Sequence, residues 1–216
     1  MALTLYYHPL SSFCHKVLIA LYENGTPFVP QSVNLGDEGE RAAFYKLWPV
    51  GKFPVLRDDT RNVLVPESTP IVDYLQMYYP GSSRLVPDDA EPARRVRLMD
   101  RHADINLHIH VQKAITDRIR PEGQHDPYGV ADARKKIDVM LGLLEQDVSG
   151  KPWLAGEAFT LADCAAAPPL FFCDLAVEPL AGRYPELAAY LGRLKQRPSY
   201  ARVLKEAEPF MTWVPR

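Results

Sequence analysis

Three short motifs, in a fixed order within the first 70 residues, constrain the fold more than any other feature of this chain. Ser11-Ser12-Phe13-Cys14 follows the apolar run Leu3-Thr4-Leu5-Tyr6-Tyr7. Gly51-Lys52-Phe53-Pro54-Val55-Leu56 comes next, and Pro66-Glu67-Ser68-Thr69 after it. Each is weak alone. Together they predict a small α/β domain with a helix start beside a strand end, a proline turn next to it, and a second polar helix start facing both.

The run 3–7 is β-prone and short enough for a buried strand. His8-Pro9 stops it, because proline cannot continue a ladder. Ser11 or Ser12 then caps a helix whose apolar face holds Phe13, Cys14 and the run 17–21. Asn24-Gly25 ends it, with glycine taking the left-handed conformation. The unpaired N–H groups and partial positive charge of a helix start stabilise a thiolate or another anion. Pro54 opens an apolar strand, where a missing N–H costs least. A cis Phe53–Pro54 bond there would expose the Phe53 backbone as an edge for an extended peptide. Glu67 and Ser68 lie at the start of a helix that buries Ile71, Val72 and Leu75. Its N–H groups and the Ser68 hydroxyl suit a carboxylate, and Glu67 suits an ammonium. The set as a whole suits a small peptide thiol. Each motif also has a purely local reading: Ser11 as N-cap, Pro54 as strand start, Glu67 and Ser68 as dipole-friendly caps.

With these residues in place, the chain resembles a soluble, cytosolic-type glutathione S-transferase over essentially its whole length. It is most like the serine-type, theta- and zeta-like bacterial members. The resemblance implies an α/β N-terminal thioredoxin-like domain followed by an all-α C-terminal helical domain. The family's active serine falls on Ser11, with Ser12 and Cys14 as alternatives. Its cis-proline turn falls on Phe53-Pro54, and its pair for the γ-glutamyl end on Glu67-Ser68. Lys52 matches a position that approaches the glycyl end. Zeta-like members carry a Cys after the double serine and an Arg further on, where this chain has Phe13 and Lys16. The resemblance implies glutathione as co-substrate, no metal, a homodimer and a detoxifying transfer to a small apolar electrophile. It sets the electrophile pocket between the domains, with His102, Asn106 and Ile109 at helical spacing on one face as candidates. Tyr74, Met77 and Tyr78 are candidates for the dimer interface. Three other readings stay open: glutathione-dependent isomerase, disulfide reductase, and a non-catalytic interaction module with this fold.

Composition narrows the classes. The chain has 216 residues, 47% hydrophobic and 24% charged, which suffices for a sizeable core. A net charge of −2 gives no electrostatic case for nucleic acid or an anionic membrane. No run of about 18 apolar residues occurs, and the start lacks a signal-peptide pattern. Three cysteines do not make a disulfide framework. A reducing cytoplasm is the expected compartment.

The sequence breaks near Pro80-Gly81-Ser82-Ser83 and Pro87-Asp88-Asp89. This predicts a thiol-binding domain over 1–80, a linker over 81–89 and a helical domain over 90–216. Strands and helices alternate first, near 3–7, 11–24, 28–33, 38–47, 54–57, 62–65 and 67–79. Helices follow near 90–119, 129–148, 160–175, 185–196 and 199–206. Thr160-Leu161-Ala162-Asp163 has the shape of a capping box, with Phe159 and Cys164 at the staple positions. It is assigned to folding, at about 1 kcal/mol or more. His108 and His110 are two apart and point different ways on a helix, so a metal pair is not expected. Cys14, without a partner cysteine at position 11, is expected to be packed and inert.

Overall fold

The computed structural model describes residues 3–215. The chain divides into two compact units between Arg84 and Leu85. The first unit alternates strand and helix: β1 (Leu3–Tyr7), α1 (Ser12–Glu23), β2 (Val29–Ser32), α2 (Glu38–Leu47), β3 (Val55–Asp58), β4 (Val63–Pro66) and α3 (Ser68–Tyr78). The sheet order is β2-β1-β3-β4, with β1 parallel to β2 and the other pairs antiparallel. Leu5 is the hub of the register, paired with Pro30 on one side and Leu56 on the other. Pro30 sits on an edge strand, where its missing N–H is tolerated.

Burial alternates over the first four residues of β1. Leu3 and Leu5 are fully buried. α1 and α3 pack on each other and contribute Val17, Leu18, Leu21, Ile71 and Leu75 to the core. A second cluster, Val33, Phe44 and Val55 with Tyr6 and Phe53 against it, fastens α2 through its one buried residue, Phe44. α1 ends as its sequence suggests: Gly25 has φ +59°, and the Thr26 N–H reaches back to the Leu21 carbonyl at 3.0 Å. At the far end of β3, the buried Asp58 accepts from Tyr74 Oη at 2.7 Å and Tyr79 Oη at 2.6 Å, pinning the C-terminal turn of α3.

The second unit is helical: α4 (Ala90–Arg101), a π-helical segment (His102–His108), α5 (Ile109–Thr116), α6 (Pro127–Val148), α7 (Leu161–Ala176), α8 (Pro185–Gln196) and α9 (Pro198–Ala207). Single 3₁₀ stretches follow α5 and α9. The predicted helix over 90–119 changes its winding at 102–108 and again over 117–119. α7 is the core of this unit, packed by α4, α5, α8 and the π segment. It runs through Pro168 and Pro169, so burial of the stretch 161–170 around them overrides the helix-breaking tendency of proline. The capping box forms at its start. Asp163 is fully buried and accepts from the Thr160 N–H at 2.8 Å, the Leu154 N–H at 2.9 Å and Tyr190 Oη at 2.6 Å. Among the described residues, no helix is long and apolar enough to cross a membrane.

Candidate functional site

The loop from β1 to α1 builds the first part of the site. The Ser11 N–H donates to the His8 carbonyl at 3.0 Å, and the Leu10 N–H donates to His8 Nδ1 at 3.2 Å. Buried His15 reaches the Pro9 carbonyl through Nε2 at 2.5 Å and holds the loop from below. Ser11 is the N-cap of α1, and its Oγ accepts from the Cys14 N–H at 3.4 Å. That long cap bond uses one lone pair of the hydroxyl oxygen. Ser11 is partly exposed, whereas Ser12 is 7% exposed and Cys14 is fully buried. Burial pushes the Cys14 thiol up to about 12, against the opposing pull of the Ser11 hydroxyl and the His8 backbone. A thiol so placed is a poor nucleophile at neutral pH.

The second part is the turn before β3. The Phe53–Pro54 bond is cis, Pro54 is buried, Phe53 half-buried and Lys52 exposed. The Phe53 ring stacks on His8, with centroids 6.0 Å apart and planes 15° apart, and leans on Phe44 at 5.9 Å. The turn and the Ser11 loop are thus joined through His8. Sequence reasoning missed this histidine. Its only local signal was its place between the strand end at Tyr7 and Pro9. Burial lowers its pKa, so the ring is neutral at neutral pH, with Nδ1 engaged as acceptor.

The third part is the start of α3. Glu67 is its N-cap, with φ +72° and ψ +134°, a conformation that non-glycine residues seldom adopt. Its side chain makes no capping bond and is exposed. Ser68 is 4% exposed. Thr69 Oγ1 accepts from Lys16 Nζ at 2.8 Å, which ties α3 to α1. The three motifs therefore belong to one connected framework within the first unit.

The other sequence candidates lie in the second unit. His102 is half-buried, and the Asn106 amide is 2.9 Å from its Nδ1, so these two share a face. Asn106 is exposed and Ile109 is 44% exposed. The regular helical spacing assumed for the three does not hold, because the π winding intervenes between 102 and 108. His108 is buried. Among the described residues, no three His, Cys, Asp or Glu side chains gather into a metal-holding group. Open cavities of about 290 and 260 Å³ lie within the second and first units, and none of the motif residues lines either. Tyr74 uses its hydroxyl internally on Asp58, whereas Met77 and Tyr78 are 68% and 41% exposed.

Comparison with known proteins places this geometry in a family. The glutathione S-transferase N-terminal domain matches residues 5–83, and the C-terminal domain matches residues 127–193. FtsZ-localized protein A of Caulobacter vibrioides is 27% identical over 212 residues, spanning 95% of this chain and 92% of that protein. Glutathione S-transferase GstB of Escherichia coli K12 is 30% identical over 213 residues, spanning 94% and 97%. The crystal structure of a glutathione S-transferase from Methylobacillus flagellatus with GSH bound superposes with a TM-score of 0.85 at 26% identity, covering 94% of this chain and 98% of that one. The chain belongs to the glutathione S-transferase family.

Proposed function

We propose that the protein is a serine-type glutathione transferase of theta- or zeta-like character, with Ser11 as the residue that activates the thiol. The observation that carries this reading is the contrast at the start of α1. Ser11 is partly exposed, whereas Ser12 is buried and the Cys14 thiol is buried and pushed up to about 12. Glutathione lies along the first unit. Its γ-glutamyl carboxylate meets the N–H groups at the start of α3 and the Ser68 hydroxyl, and its ammonium meets Glu67. The Phe53 backbone pairs with the cysteinyl residue, and Lys52 approaches the glycyl carboxylate. Ser11 Oγ donates a hydrogen bond to the sulfur, and the α1 dipole adds to it. Both favour thiolate over thiol. The thiolate then forms a carbon–sulfur bond to a small apolar electrophile, whose leaving group departs with the bonding electrons. His102, Asn106 and Ile109 are the candidates for contacting that electrophile. The reading includes a homodimer, with Met77 and Tyr78 at its interface, a cytoplasmic setting and a detoxifying role.

Ser11→Ala tests it. A hydrogen bond to a charged sulfur contributes about 1.5–3 kcal/mol. The variant should therefore lose roughly 10- to 100-fold in kcat at neutral pH, with little change in glutathione affinity. Unchanged turnover would remove Ser11 from the mechanism and return Ser12 or Cys14 to consideration. Similarity to FtsZ-localized protein A supports a second reading, a non-catalytic interaction module. Glutathione binding without turnover across a broad panel of electrophiles would favour it.

A further inference from the structure

Lys16 has no part in the chemistry above, yet it is 1% exposed. Lysine is almost never buried so completely without a partner that orients it. It stands on α1, and Nζ donates to Thr69 Oγ1 at 2.8 Å, across 53 residues of sequence. Thr69 is the second residue of α3. The first turn of α3 closes through the Ile71 N–H, which donates to the Glu67 carbonyl at 3.0 Å. Glu67 provides no side-chain cap there, and its backbone has a positive φ. The bond from Lys16 adds a tie from this turn to α1.

We infer that Lys16 is a positioning residue for the carboxylate site at the start of α3, acting through Thr69. The bond fixes the first turn of α3 in the orientation that presents the Ser68 hydroxyl and the Glu67 carboxylate to a γ-glutamyl group. The buried ammonium adds positive potential at a helix start that already favours anions. This inference rests on the reading of Glu67 and Ser68 as the γ-glutamyl site.

The test is a double-mutant cycle on the full chain with Lys16→Met and Thr69→Val. Affinities for reduced glutathione, and for cysteinylglycine, which lacks the γ-glutamyl group, are measured by isothermal titration. Each single variant should bind glutathione about tenfold more weakly, as for loss of one charge-assisted hydrogen bond. The double variant should be no weaker than either single one. Affinity for cysteinylglycine should stay as in the wild type, and in turnover KM for glutathione should rise with kcat unchanged. Equal weakening toward both ligands, or additive effects in the double variant, would overturn the inference and leave only a general structural tie. If Lys16→Met does not fold, Thr69→Val alone decides by the same selectivity. Wild-type protein that binds no glutathione would overturn the transferase reading and this inference together. Wild-type binding with unaffected variants would overturn this inference alone.

Discussion

Asp163→Ala should be among the most destabilising single changes in the second unit. The carboxylate accepts four hydrogen bonds, from the Leu154 and Thr160 N–H groups, Thr160 Oγ1 and Tyr190 Oη, at 2.9, 2.8, 3.2 and 2.6 Å. An exposed helix cap is worth about 1 kcal/mol. Here truncation leaves the two N–H groups and the Tyr190 hydroxyl inside the protein with no acceptor. Each such donor costs about 1–3 kcal/mol. The low end is the appropriate choice, because removing Asp163 also removes the penalty of its own burial, which pushes its pKa up. Three donors at that end give about 3 kcal/mol. For a chain of this size that corresponds to a fall in Tm of roughly 6–12 °C. Urea unfolding followed by tryptophan fluorescence measures it, since Trp153 stands edge-on to Phe159, 5.1 Å away, beside the network. Glutathione affinity measured well below Tm should be unchanged. A loss of about 1 kcal/mol or less would mean that Asp163 is an ordinary cap and that the buried network adds nothing.

Two further predictions concern the first unit. Burial alone would raise the Asp58 carboxyl, but hydrogen bonds from Tyr79, Tyr74 and the N–H groups of Arg61 and Thr60 outweigh it and hold it below the ordinary range. Its contribution is full above the unfolded-state value near 4 and is lost as pH falls through the lower folded value. Asp58→Asn should therefore be less stable than the wild type at pH 7, by a margin that shrinks on acidification below about pH 4; a margin constant down to pH 3 would exclude the charge as its source. Cys14 should resist iodoacetamide in the native state at pH 8, since burial keeps its thiol near 12. Labelling on the timescale of an exposed cysteine would contradict that placement.

Local signals carried much of the fold. The strand 3–7 and the helices 38–47 and 185–196 have the predicted bounds, because their periodicity ends at His8-Pro9, begins at the Asp37 cap and begins at Pro185 respectively. The capping box was legible for the same reason, although its weight was not: Leu154 and Tyr190, which complete the network, lie 9 and 27 residues away. The features that escaped are those set by distant partners. Nothing in His102–His108 signals a π winding, which forms where this segment packs on α7. The burial of Lys16 and the Asp58 cluster depend on pairs 53, 16 and 21 residues apart. In the candidate site, Ser11, Pro54 and Glu67 stood out through motif spacing. His8 did not, because its role comes from stacking on Phe53, a contact between two loops.

The most direct test of the account is isothermal titration of the protein with reduced glutathione beside the Glu67→Ala, Ser68→Ala double variant. Saturable binding by the wild type, abolished or strongly weakened in the variant, is the predicted result. Absence of wild-type binding, or binding of equal strength in the variant, would contradict a glutathione site at the start of α3.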